Sequence, residues 1–282
     1  MKTQQAYKHC LNIAKNHYEN FPVASWFLPK RMRYPIATVY AFARRADDFA
    51  DEGDLTDKQR LFELSQLAYQ IEALYAHKTS EDPILIAIAD CVDKFNLPKA
   101  LFLDLIDAFK QDITQKRYAD FGELMQYCRR SANPVGRTML HFYGQTDLKS
   151  LAQSDAICSA LQLINFYQDL AQDYNEMQRI YIPQDEMQAT LVNESNFKNN
   201  LTDGPMVVLM RKQYQRAHKL LQSGAPLGKS LKGRFGFEIR LIIAGGSRIL
   251  IKLDQQTNDV FSRPRLGFKD WIWIFWKALR AE

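Results

Sequence analysis

Two runs of this chain are apolar on nearly every side and then turn acidic. Pro35-Ile36-Ala37-Thr38-Val39-Tyr40-Ala41-Phe42-Ala43 leads into Arg44-Arg45-Ala46-Asp47-Asp48-Phe49-Ala50-Asp51-Glu52. Ile157-Cys158-Ser159-Ala160-Leu161-Gln162-Leu163-Ile164 leads into Asn165-Phe166-Tyr167-Gln168-Asp169-Leu170-Ala171-Gln172-Asp173. A helix that is apolar all round is a buried one, and carboxylates on buried helices need partners. A solvated surface face, the usual fate of a lone acidic cluster, is the weaker reading here. If both runs are helical, Asp47 and Asp51, and Asp169 and Asp173, each stand one turn apart on one face. Two such faces turned toward each other would form a carboxylate box, whose repulsion calls for hard divalent cations. Mg²⁺ keeps few protein ligands and shares its sphere with substrate phosphates. The pattern therefore points to an enzyme that ionises a prenyl diphosphate.

Helical periodicity dominates the rest, with no convincing alternation of strand type. A first helix is expected over residues 4–18, ended at Asn20-Phe21-Pro22, and a second from Pro29 to about Gly53. Thr56 and Asp82 read as N-caps, Asp82 with a proline in the first turn. Further helices are expected over 98–114, from Asp120 to Arg130, and from Asn133 to Tyr143 with Gly144 as the stop. The second acidic motif is placed on a helix over 151–177. Residues 188–203 read as loop, followed by helices to Leu221 and over 237–256. Gly245-Gly246, inside a helical pattern, reads as a close helix contact. With no linker and no repeat, the expectation is an all-α fold in a single domain over 1–282.

A hydrophobic fraction of 46% over 282 residues supports an ordered core. The net charge of +5 is modest and dispersed. No zinc-finger spacing or basic-region pattern points to nucleic acid. A basic protein instead suits polyanionic substrates or anionic lipid. Cys10, Cys91, Cys128 and Cys158 show no Cys-x-x-Cys pairing and read as buried thiols in a reducing compartment. The polar start of the chain has no signal-peptide run, so a cytoplasmic location is expected.

The segment Tyr40-Ala41-Phe42-Ala43-Arg44-Arg45-Ala46-Asp47-Asp48-Phe49-Ala50-Asp51-Glu52 resembles the first signature of the squalene and phytoene synthase family. Gln162 to Asp173 resembles the second, and Arg179-Ile180-Tyr181-Ile182-Pro183 also matches. The order and spacing agree along nearly the whole chain. The segments from His17 to Val23 and from Tyr127 to Arg137 resemble the family's bacterial hopanoid-pathway branch. That resemblance implies an isoprenoid-synthase helical bundle with a central cavity. It also implies a reaction: presqualene diphosphate loses diphosphate, and water captures the rearranged cation to give hydroxysqualene. Pro22 and Gln168 stand where condensing relatives often carry serine and arginine, changes that would weaken a second diphosphate subsite. The rival enzymatic reading is condensation of farnesyl diphosphate to presqualene diphosphate or squalene, or of geranylgeranyl diphosphate to phytoene. A lipid-binding or assembly factor of the same fold is the non-enzymatic rival.

By the same resemblance, Asp47, Asp48, Asp51, Asn165, Asp169 and Asp173 would hold Mg²⁺, several ions bridging the diphosphate. Arg44, Arg179, Tyr181, Gln162 and His17 would contact substrate, and the rings of Phe21, Tyr40, Tyr127 and Phe166 would face the carbocation. From the residues alone, Phe21, Tyr40 and Phe166 read more readily as core packing, and His17 equally as a structural histidine. No Gly-x-Gly-x-x-Gly follows a strand, and NADPH is not expected.

The last helix, within residues 265–282, places Phe268, Trp271, Ile272, Phe275, Trp276 and Leu279 on one face beside Lys269, Lys277 and Arg280. This pattern fits a helix in the lipid interface, with peripheral association at the inner face of the cell membrane. It fits equally a helix docked on the core.

Overall fold

The structure, a computed structural model, describes residues 3–16 and 30–280. Among these residues there are fifteen helices and no strand. The first seven are α1 (Thr3–Asn16), α2 (Lys30–Asp51), α3 (Asp57–Tyr75), α4 (Pro83–Phe95), α5 (Ala100–Thr114), α6 (Phe121–Ser131) and α7 (Asn133–Phe142). There follow α8 (Leu148–Gln168), α9 (Leu170–Met177), α10 (Gln184–Ala189) and α11 (Glu194–Lys198). The last four are α12 (Gly204–Gly224), α13 (Leu227–Ser230), α14 (Gly233–Gln255) and α15 (Phe268–Arg280). The chain divides into two compact units, Met1–Thr114 with Pro134–Leu151, and Gln115–Asn133 with Ala152–Glu282.

Local chemistry sets many of the helix ends. Thr56 closes a capping box with Gln59 at the start of α3. Asp82 accepts from the Ile84 and Leu85 amides ahead of Pro83, and Asp120 accepts from the Glu123 amide. These side chains satisfy amides that a helix start leaves without partners. After α7, Gly144 takes a positive φ of 66°, a conformation that glycine adopts without steric cost.

In the first unit α2 packs against α1, α3, α4 and α5. Its buried stripe of Ile36, Ala37, Ala41, Phe42, Ala46 and Ala50 recurs with helical spacing. Phe42 meets Phe102 of α5 edge to face at 5.2 Å. Pro35 lies inside α2, in its second turn.

In the second unit α14 packs on α12, α13 and α15. A Cβ on Gly246 would stand 2.9 Å from Leu161 Cδ2 of α8, so the close helix contact expected at the glycine pair is real at Gly246. Around Gly245 there is open space. The stretch expected as loop over 188–203 is partly helical. Asn193 and Asn196 form a capping box that starts α11, and Phe197, 1% exposed, anchors it. Two asparagines closing a box on each other leave little apolar periodicity to read. No helix among the described residues is long and apolar enough to cross a membrane.

Candidate active site

In the first unit, Tyr40, Arg44, Asp47, Asp48 and Asp51 follow one another along α2 at helical spacing and so share a stripe. All but the exposed Asp51 are half-buried. The Arg44 guanidinium sits among the acids. Nε is 2.7 Å from Asp48 Oδ1, Nη1 donates to Asp47 Oδ2 at 3.2 Å, and Nη2 pairs with Glu52. Arg44 thus faces the same side as Asp47, as its spacing predicts. Behind it Arg45 is paired with Asp82 at 2.6 Å, tying α2 to the start of α4. The C-terminal end of α2 is held by Arg60, which donates to the carbonyls of Phe49, Glu52, Gly53 and Leu55. A cation on the last carbonyls suits the negative end of the helix dipole.

The second motif departs from the single helix expected over 151–177. Asp169 has φ −107° and ψ 17°, outside helical geometry, and separates α8 from α9. The amide ladder nonetheless continues, Asp169 N to Asn165 O at 3.0 Å and Asp173 N to Asp169 O at 2.8 Å. The break coincides with an ion pair from far along the chain: Arg263 approaches Asp169 with Nε at 2.6 Å and Nη2 at 3.3 Å. Next to it Gln168 donates to the Pro264 carbonyl at 2.9 Å, fastening the same loop.

Burial pushes the Asp169 carboxyl upward, opposed by Arg263 and reinforced by Glu176. Asp173 is pushed up to about 7, by burial first and then by the Asp169 charge, against the pull of Arg179. Asn165, one turn before Asp169, is exposed and Gln162 is half-buried.

The segment after α9 turns at Gln178, in the left-handed region at φ 54°. It then runs beside residues 116–119, Ile180 N bonding to Lys116 O and Gln184 N to Tyr118 O. Arg117 braces it by pairing with Glu194 at 2.7 Å and donating to the Gln178 carbonyl. This places Tyr181 flat on Phe166, centroids 3.6 Å apart and planes 7° from parallel. Tyr127 of α6 stands 6.1 Å from Phe166 and 5.8 Å from Tyr181. Arg179, 7% exposed, directs Nη1 to the Tyr181 hydroxyl at 3.5 Å.

The structure therefore gathers Tyr127, Phe166, Arg179 and Tyr181 within the second unit, with Asp169 and Asp173 on the adjoining turn. Tyr40, Arg44 and the first aspartates belong to the first unit. His17 and Phe21 lie outside the described residues, as does Pro22. Two participants went unread in the sequence. Tyr118, 1% exposed, stacks on Tyr181 at 5.6 Å, and Arg263 pairs with Asp169 across 94 positions. Neither belongs to a local pattern.

Residues 14–271 match the sequence profile of squalene/phytoene synthase. The chain belongs to the squalene/phytoene synthase family. It is an enzyme of the group that acts on isoprenoid diphosphates, and its all-α architecture is that of the isoprenoid synthases. A hydroxysqualene synthase of Rhodopseudomonas palustris is 35% identical, over 89% of this chain and 85% of its own. A phytoene synthase of Mycobacterium tuberculosis is 33% identical, over 65% of this chain and 59% of its own. The crystal structure of squalene synthase HpnC from Alicyclobacillus acidocaldarius superposes with a TM-score of 0.85 at 29% identity, covering 91% of this chain and 96% of the other.

Proposed function

We propose that the protein converts presqualene diphosphate to hydroxysqualene by Mg²⁺-assisted loss of diphosphate and capture of the cation by water, without NADPH. The carbon–oxygen bond to diphosphate breaks with its electron pair on the leaving group. A water oxygen then bonds to carbon, and its proton goes to the released diphosphate. The observation that carries this reading is identity at comparable reach: a named hydroxysqualene synthase is 35% identical over 89% of this chain and 85% of its own, a named phytoene synthase of Arthrospira platensis 27% over 92% and 87%. Gln168, held on the Pro264 carbonyl where condensing relatives often carry arginine, supports it as well.

The donor set fits a hard divalent cation. Asp173 lies half-buried beside Asp169 and is pushed up to about 7, by burial first and then by the Asp169 charge, a repulsion that a bound cation would relieve. Asp47, Asp48, Asp51, Asn165, Asp169 and Asp173 would hold Mg²⁺, which when bound supplies the charge neutralisation that makes diphosphate a competent leaving group.

The chain's own groups do the rest. Arg44 and Arg179 donate to phosphate oxygens, with Gln162 a further polar contact, and His17 and Phe21 remain assigned to substrate by motif alone. The stacked faces of Phe166 and Tyr181, with Tyr127 and Tyr40, stabilise the cation and keep stray nucleophiles from it. A binding-only role is disfavoured because every motif aspartate is retained. Turnover in H₂¹⁸O tests the proposal. Label in the product alcohol agrees with it; an unlabelled hydrocarbon product, or condensation of shorter diphosphates, refutes it.

A further inference from the structure

Helix α15 has two faces of different kinds. Its inner side is docked: Ile274 and Ala278 are each 1% exposed, and the buried Asp270 takes Arg248 at 2.6 Å, Lys252 at 2.8 Å and the Gly267 amide at 2.7 Å. The outer side carries Phe268, Trp271, Ile272, Phe275, Trp276 and Leu279, all exposed, the two tryptophans by 58% and 57%. Six large apolar side chains left in solvent on thirteen residues form a patch that calls for a partner.

Beside this patch lies a groove of about 360 Å³ bordered by Pro226, Lys229, Arg240, Ile243, Ser247 and Lys277. Lys229, Arg240 and Lys277 are cations, and among the described residues no acid lies within ion-pair distance of them. Arg240 is held over the Phe237 ring at 5.6 Å, with its Nε buried and no hydrogen-bond acceptor among the described residues. Phe237 in turn meets Phe275 of α15 edge to face at 5.8 Å. The basic groove and the aromatic patch are therefore one continuous surface.

We propose that this surface seats on an anionic phospholipid bilayer, with a lipid phosphodiester in the Lys229–Arg240–Lys277 groove and the outer face of α15 in the headgroup–acyl boundary. The reasoning is independent of which diphosphate the enzyme uses. Tryptophan and basic residues are the side chains favoured at that boundary. Thirteen helical residues extend roughly 20 Å, short of the roughly 30 Å hydrocarbon core, so the helix lies on the membrane. A second copy of the chain fits poorly. Lys269, Lys277 and Arg280 flank the patch, while the only acid of α15, Asp270, is turned inward, so a two-fold pair would oppose like charges.

Sedimentation with vesicles of phosphatidylcholine, plain or doped with phosphatidylglycerol, tests this on the full chain. The wild type pellets with the doped vesicles, and added salt releases part of it. Three of the four tryptophans lie in α15, so emission shifts to the blue on binding. Trp271→Ser with Trp276→Ser weakens binding at least about tenfold, while circular dichroism and melting stay as in the wild type because both side chains are exposed. Lys229→Gln with Lys277→Gln removes about fivefold per cation, the roughly 1 kcal/mol each contributes at an anionic surface. The same loss is expected when Arg240→Gln is added. Equal pelleting of wild type and variants, equal binding to neutral vesicles, or displacement by inorganic phosphate alone would overturn the proposal. So would a dimer that the tryptophan variant converts to monomer with lipid binding unchanged.

Discussion

Arg263 grips Asp169 at two points, Nε to Oδ1 at 2.6 Å and Nη2 to Oδ2 at 3.3 Å. The guanidinium is the main counter-charge of Asp169 and, after Arg179, a second one for Asp173, two half-buried carboxylates one turn apart. Arg263→Gln removes it. In that variant the stability gained on adding Mg²⁺ should exceed the wild-type gain, because the ion then relieves a larger repulsion and binds the folded chain without a competitor. Thermal melts with and without Mg²⁺ measure this; equal increments would show that Arg263 does not bear on the cluster.

Asp47→Asn and Asp169→Asn each replace a proposed metal-binding carboxylate by a neutral isostere. Turnover should fall at least about a hundredfold, the scale for losing one group that stabilises developing charge. Far-ultraviolet circular dichroism should be unchanged. A variant with near-normal rate would remove that aspartate from the site.

Phe166→Leu deletes one face of the 3.6 Å stack with Tyr181. Losing the stack should cost about 1 kcal/mol of stability, and losing a cation-facing ring should lower turnover about tenfold. The kinetic loss should exceed what an equally destabilising change elsewhere in the core produces. If rate merely tracks stability, the ring is packing only.

Adjacent glycines of α14 should respond oppositely. Gly245→Ala enters open space and should stabilise by about 1 kcal/mol, through helix propensity. Gly246→Ala drives a methyl to 2.9 Å from Leu161 Cδ2 and should destabilise by about 1–3 kcal/mol. Denaturant midpoints decide the signs.

Glu186 provides a pH prediction away from the acidic motifs. Burial raises its carboxyl, but hydrogen bonds from Arg216, Gln213 and Lys212 outweigh that and hold it at about 2. Its folded value lies below the unfolded one, so its stabilisation is complete above the unfolded value of about 4.5 and is lost as pH falls toward 2. Glu186→Gln should flatten that acid-side loss and cost about 1–3 kcal/mol at neutral pH. An unchanged acid profile would contradict the pairing.

What the sequence made legible follows the range of the forces involved. Caps at Thr56, Asp82 and Asp120 act within three residues, and each was readable from its own neighbours. The acidic pairs and the Phe166–Tyr181 region were readable as long motifs. The break at Asp169 was not, because it coincides with Arg263, 94 positions away, in a loop with no pattern of its own. Tyr118 joins the aromatic group only once residues 116–119 lie beside 180–185. For α15, periodicity identified the apolar face but not its direction. Asp270 is the buried anchor that turns the other side inward.

The most direct measurement is the product formed by purified protein from presqualene diphosphate and Mg²⁺, with and without NADPH, read by gas chromatography and mass spectrometry beside a parallel reaction on farnesyl diphosphate. Hydroxysqualene from presqualene diphosphate in the absence of NADPH is the predicted result. Squalene that forms only with NADPH, or consumption of farnesyl diphosphate while presqualene diphosphate is left untouched, would contradict it.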